Sequence, residues 1–188
     1  MIFVVDTSGS IAVIATIDAD RRSQLELPAR DPALMLNLRR IAREATVTKV
    51  AVATGPGSFT GLRVGVSFGL GLAIGLRVPI VPLGTLDLQQ ARSDEPVTAV
   101  VDAGRGRYYY QLPAGEPLLD EPAGIPATHE LVGNVATRAS LIAAGHRFKR
   151  DADLRPLHDA AEILLRTARE VPYRNLEIEY MQSLTRKI

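Results

Sequence analysis

Between Ala45 and Leu86 the chain carries no acidic residue and only three charges, Lys49, Arg63 and Arg77. A stretch of that length with so little charge must be covered, by the rest of the chain or by a partner, because large bare apolar surfaces are rare on soluble monomers. At its centre lies Gly55-Pro56-Gly57-Ser58-Phe59-Thr60-Gly61-Leu62-Arg63-Val64-Gly65. Residues 49–53 before it are strand-like, and residues 60–76 after it form a long apolar helical run. Glycine reaches positive φ at little steric cost, so such a loop can turn its N–H groups inward, and the helix start adds unpaired N–H groups and partial positive charge. Three uses are open: holding an anion at Gly55, Gly57 and Ser58, letting another backbone approach closely, or turning a tight corner.

The remaining chain supplies the layers. Residues 2–5 and 11–17 are β-rich and joined by Asp6-Thr7-Ser8-Gly9-Ser10, a hairpin pattern, and residues 22–27 alternate as a third strand. Asp31-Pro32 offers a cap and a first helical residue, and Leu34, Leu38, Ile41 and Ala45 mark the apolar stripe of a helix to about Glu44. With residues 79–83 as a short strand and a helix from Thr85 to Gln90, the first 90 residues read βββαβαβα.

Residues 92–96 are polar and turn-rich, and past them the chain begins again. Val4-Val5-Asp6-Thr7-Ser8-Gly9 is echoed by Val100-Val101-Asp102-Ala103-Gly104-Arg105, each followed by a second β-rich run. This predicts duplication, with lobes over residues 1–94 and 95–188 that each open on a hairpin turning at Asp. In the second lobe a strand is expected over residues 118–125, a short helix over 128–132, a buried strand over 140–144 and a helix capped by Asp159 running to Glu170.

Composition bounds the function. The 188 residues are 46% hydrophobic, lack cysteine and carry a net charge of +1. Disulfides and thiolate metal sites are excluded, a cytoplasmic address fits, and no general basic field for nucleic acid exists. The opening Met1-Ile2-Phe3-Val4-Val5-Asp6 meets an acid at once and reads as a first strand, not a signal peptide. Residues 64–76 are uncharged but fall short of the ~20 needed to cross a bilayer, so no membrane role is expected.

Duplicated βββαβα lobes with an acidic turn after the first strand resemble the actin-like ATPase (ASKHA) architecture of ribonuclease-H-like lobes, the second here reduced. Val4-Val5-Asp6-Thr7-Ser8, Gly55 to Gly65, and Val101-Asp102-Ala103-Gly104-Arg105-Gly106-Arg107-Tyr108, in that order, are similar to the TsaB (YeaZ) family of the tRNA threonylcarbamoyladenosine system. The likeness covers about residues 1–112, with a looser one from Ile178 to Arg186, and the His-Ser-Glu that often precedes the family's first helix is replaced by Arg30-Asp31-Pro32. The resemblance implies a non-catalytic scaffold that positions TsaD, the transferase, with TsaE as the ATP-hydrolysing partner. It implies a homodimer when alone, tRNA met only through the complex, no intrinsic cofactor, and ATP or ADP at most at the subunit interface. It places pairing on the first two helices, at Leu34, Leu38, Ile41, Gly61, Arg63, Gly65, Phe68, Gly69 and Leu72. Gly69→Leu is accordingly expected to weaken pairing and leave the monomer folded.

Competing chemistries fit less well. A P-loop ends Gly-Lys-Ser/Thr, whereas Gly61 is followed by Leu62-Arg63, and a dinucleotide fingerprint lacks the acid about twenty residues on. In actin-like ATPases the turns of Asp6-Thr7-Ser8 and Asp102 flank phosphates and metal; with no lysine beside either, capping of the turn is the favoured role. A degenerate sugar-kinase-like phosphotransferase and a self-assembling homodimer are the alternatives. His129, His146 and His158 are scattered without metal-ligand spacing, and no Gly-x-Ser-x-Gly elbow occurs. Alternation sends Tyr108 and Tyr110 to one strand face and Tyr109 to the other, beside Arg105 and Arg107, as ordinary β packing. Arg186-Lys187 is a basic end.

Overall fold

The computed structural model describes residues 1–181, so Arg186, Lys187 and the closing-segment likeness past Met181 lie outside the described residues. The first strands are β1 (Ile2–Asp6), β2 (Ile11–Ile17) and β3 (Arg22–Pro28), followed by α1 (Leu34–Glu44), β4 (Lys49–Gly55), α2 (Phe59–Leu76), β5 (Ile80–Gly84) and α3 (Thr85–Gln90). Their sheet runs β3-β2-β1-β4-β5, with β1, β4 and β5 parallel and β2 and β3 antiparallel additions. Parallel strands need cover on both faces. On one face Phe3, Val5, Val50 and Val52 pack with Leu34 and Leu38 of α1 and Val66 and Ala73 of α2. On the other, Val4, Ala51, Ala53 and Val81 pack with Leu88 of α3.

The second sheet repeats the first four strands. β6 (Thr98–Gly104), β7 (Arg107–Gln111), β8 (Leu118–Asp120) and β9 (Leu131–Asn134) are ordered β8-β7-β6-β9, with β6–β7 and β7–β8 antiparallel and β6–β9 parallel. Asp6 and Asp102 therefore sit at matching places, as the echo requires. The reduction is also visible: a single 3-10 turn at Pro122–Gly124 stands between β8 and β9 where the first lobe has α1. Tyr108 and Tyr110 join the cluster of Val100, Leu131 and Leu141, while Tyr109 turns to Leu86 of α3, as the alternation predicts.

Several short segments differ from expectation: the strand expected over residues 118–125 stops at Asp120, and the helix expected to reach Glu170 ends at Leu165. Residues 131–134 are the strand β9, not a helix, because pairing with Thr98–Val101 decides their state. The run expected as a strand is α4 (Ala139–Ala143): only Leu141 is buried and Ile142 is 57% exposed, a one-sided pattern suited to a helix. The next helix, α5 (Leu157–Leu165), begins after Pro156 without a side-chain cap, and Asp159 instead faces Arg22 in its first turn.

The chain does not stay with the second sheet. Leu157 and Ala161 of α5 pack on the first sheet beside α3. Val171 then bridges to Ile80 on the edge strand β5, and Tyr173, Leu176 and Ile178 reach the opposite face. The strap covers a sheet edge that would otherwise be open to pairing. Among the described helices α2 alone is long and apolar enough to cross a membrane, yet it lies on the sheet with Leu62, Gly65, Val66, Gly69 and Ala73 buried.

Candidate functional site

Asp6 ends β1, and its Oδ1 accepts from Ser8 N–H at 2.9 Å and from Ser8 Oγ–H at 2.5 Å. The carboxylate caps its own turn. Thr7 Oγ1 donates to the Gly61 carbonyl at 2.6 Å, and Ser58 N–H donates to the Ser8 carbonyl at 2.7 Å. The Ser58 hydroxyl caps α2 through Gly61 N–H. A Cβ at Gly57 would meet Ser8, and one at Gly61 or Gly65 would meet Thr7. Of the three uses open to the glycine loop, close backbone approach is therefore the one made of it. Gly55, at φ +122°, lets the strap's Glu179 carbonyl lie against it, with Glu179 N–H donating to the Thr54 carbonyl at 2.8 Å.

This packing corrects the anion-binding reading of the β1–β2 turn. Asp6, Thr7 and Ser8 are 0%, 2% and 0% exposed, so no phosphate can reach them here, and the Ser58 N–H and hydroxyl are spent internally. Burial pushes the Asp6 carboxyl above its ordinary range, against the lowering effect of the Ser8 bonds, and Oδ2 has no partner. Asp102 is only half-buried; burial raises it too, opposed by the hydrogen bond from Ala136 N–H to its Oδ2 at 2.7 Å. Burial, then the nearby Asp87, likewise raises Glu179.

A clasp invisible to sequence reasoning joins the lobes beside this turn. Asn134, the last residue of β9, accepts from Ile11 N–H at 2.9 Å and Ser10 Oγ–H at 3.1 Å, and donates to the Ile11 carbonyl at 2.6 Å. Gly9 leaves the space its side chain fills. A lone asparagine gives no periodic or motif signal, and only its position opposite Gly9 reveals the role.

The expected pairing residues divide in two. Leu34 and Leu38 are in the core at 5% and 0% exposure, because the apolar stripe of α1 faces its own sheet. Gly65 and Gly69 are buried against Thr7 and Val52, and the half-buried Gly61 lies against Thr7, so these glycines serve packing within the chain. A leucine at Gly69 would collide with Val52, which overturns the expected tolerance of Gly69→Leu. Ile41, Phe68 and Leu72 are half-buried and Arg63 is exposed. The outward surface consists instead of Met35, Leu36, Arg39, Arg40, Arg43 and Glu44 on α1 and Phe59, Thr60, Arg63, Ser67, Gly71, Ile74, Gly75 and Leu76 on α2. Leu36, Phe59 and Ile74 are at least half exposed, and a Cβ at Gly71 or Gly75 meets nothing within 4 Å. A shallow groove lined by Met35, Phe59, Arg63, Val64 and Phe68 runs between the two helices. The glycine spacing signalled a special helix; which glycines face out depends on its rotation over β4, which the spacing does not carry.

Elsewhere, the histidines stand apart. His146 Nε2 lies 2.8 Å from the Pro122 carbonyl, His129 Nδ1 2.9 Å from Thr128 Oγ1, and His158 Nδ1 3.2 Å from Gln24 Oε1. Among the described residues no three His, Cys, Asp or Glu side chains gather as a metal site.

Comparison with known proteins agrees with this architecture. A sequence model of the TsaD family, described as tRNA N6-adenosine threonylcarbamoyltransferase, matches residues 35–124. The tRNA threonylcarbamoyladenosine biosynthesis proteins TsaB of Bacillus subtilis and Haemophilus influenzae are 38% and 39% identical over 69 and 72 residues, 35% and 34% of this chain. Those matches span only 30% and 29% of the relatives' own lengths. The crystal structure of a protein described as similar to peptidase YeaZ from Pseudomonas aeruginosa superimposes over 96% of this chain and 99% of its own, at a TM-score of 0.74 and 21% identity. YeaZ from Pseudomonas aeruginosa does so over the same shares, at 0.72 and 20%, which establishes the shared fold. The ordered trio of sequence segments and the duplicated sheets agree with these likenesses: over part of its length the chain is similar to TsaB proteins, and it shares the fold of the YeaZ structures.

Proposed function

We propose that the chain is a non-catalytic subunit of tRNA threonylcarbamoyladenosine biosynthesis that docks on TsaD and supports its transfer of threonylcarbamoyl to the N6 of adenosine. The single observation that carries this reading is the outer face of α2, apolar and small-residue lined with Met35 and Leu36 of α1 beside it, and with Arg63 as the lone charge of an 18-residue helix. Such a face is costly to leave in water and suits a backbone that approaches closely. The TsaD family model covers residues 35–124, which include both helices, so a TsaD subunit offers related helices for a pseudo-twofold pairing.

In this reading TsaE joins the assembly, tRNA is met through it, the protein acts in the cytoplasm, and any nucleotide sits between subunits. The buried Asp6 turn offers no open phosphate site and so gives the phosphotransferase alternative no support. The test is reconstitution: threonylcarbamoylation of tRNA by TsaD and TsaE from the same organism, with and without this chain. Modification that requires the chain supports the reading. Full modification without it, or turnover by the chain alone, contradicts it.

A further inference from the structure

The strap goes further than edge protection needs. Its structural work ends with Ile178 in the core and Glu179 N–H on Thr54, but Tyr180 continues onto the surface, 47% exposed. There its ring lies 5.3 Å from that of Phe59, and its hydroxyl accepts from Arg63 Nε at 3.2 Å. The Arg63 guanidinium carbon sits 3.8 Å above the Phe59 ring. Three exposed side chains from two distant segments thus hold one another still at the mouth of the α1–α2 groove.

What Arg63 lacks is an acid. No carboxylate among the described residues pairs with it, and unlike Arg39 and Arg43 on α1, which also lack one, its guanidinium is held in place by Phe59 and Tyr180. Its Nε is taken by Tyr180, and its two terminal nitrogens donate to no described residue. Stacking and the Nε bond remove most of the freedom an arginine loses on binding, and the remaining fork matches a carboxylate. Apolar surroundings would exclude water once the groove is covered, and strengthen the pair.

We propose that Arg63, positioned by Phe59 and Tyr180, receives an Asp or Glu side chain of the heterologous partner and thereby selects it over a second copy of this chain. The inference rests on the helix face being the TsaD-binding surface. A second copy cannot supply the acid through the same helix: residues 45–86 hold none, and Glu44 at the end of α1 is engaged by Arg40. Self-pairing through α2 therefore leaves Arg63 without a counter-charge, and an unpaired charge is an element of the kind that sets specificity.

The experiment measures two affinities, for TsaD and for self-association, in wild type, Arg63→Gln, Arg63→Lys, Tyr180→Phe and the Gln/Phe double variant, across salt. Arg63→Gln should weaken TsaD binding about tenfold or more and flatten its salt dependence. It should leave self-association equal or stronger. Lysine should recover only part of the loss, and Tyr180→Phe should cost a few-fold alone but nothing on top of Arg63→Gln. Unchanged TsaD binding in Arg63→Gln, or equal weakening of both pairings, overturns the carboxylate role and leaves the docking surface standing. Failure of the wild-type chain to bind TsaD removes both. If Arg63→Gln does not fold, an unaltered TsaD affinity in Tyr180→Phe decides against the proposal.

Discussion

At the scale of single residues, the β1–β2 turn shows how a fully buried carboxylate can be local structure. Because burial raises Asp6 above the ordinary carboxylate range, the folded chain holds that proton more tightly than the unfolded chain. The ionised group therefore costs stability above the folded pKa; the cost fades as pH falls through it and is gone below the unfolded value. Asp6→Asn keeps an oxygen for Ser8 and puts an amide where Oδ2 has no partner. Thermal melts should show Asn stabilising at neutral to mildly alkaline pH, with the gain vanishing in acid. A gain that persists unchanged in acid would contradict the assignment. Gly61→Ala forces a methyl onto the Thr7 carbonyl and should cost about 2–3 kcal/mol in a denaturant titration. Asn134→Ala removes the clasp and should cost about 1–2 kcal/mol, with the Ile11 amide exchanging faster while the α2 amides do not change.

At the scale of elements, α2 separates what pattern can and cannot tell. Its existence, its start after Ser58 and its lack of charge were legible, because strand, glycine loop and apolar run each left a local signal. Its rotation was not, since glycines lie on both faces and only contact with Thr7 and Val52 tells inner from outer. In the same way the stripe of Leu34 and Leu38 was readable as a stripe, but a stripe fits a core as well as a partner. Short segments failed for another reason: residues 131–134 and 139–143 are decided by the β6 pairing and by one buried leucine, both nonlocal. The role of Tyr180 leaves no local signal, because its neighbours Phe59 and Arg63 are more than a hundred residues away in sequence. The inner and outer faces should respond differently to bulk. Gly69→Leu should unfold or severely destabilise the protein, whereas Gly71→Leu should shift the melt by no more than about 0.5 kcal/mol. Equal tolerance at both positions would mean that α2 is rotated differently.

At the scale of the whole molecule, duplication supplied a matching pair of Asp turns, while the second lobe lost the counterpart of α1. The first turn is filled from inside by the glycine loop, and the lobes are clasped beside it by Asn134. What remains open is the back of the first lobe, where α2, with Met35 and Leu36 of α1 beside it, presents an apolar face with Arg63 at its edge. The account thus treats the first lobe of this protein as a surface for assembly, with Gly71, Ile74 and Gly75 at its outer centre. The most direct test is the equilibrium affinity of the purified chain for TsaD from the same organism, compared with that of Ile74→Glu, by calorimetry. The account predicts a measurable complex of the wild-type chain, a loss of about tenfold or more in the variant, and identical thermal melts of the two free proteins. Equal affinity of the two for TsaD, or no complex at all, would contradict it.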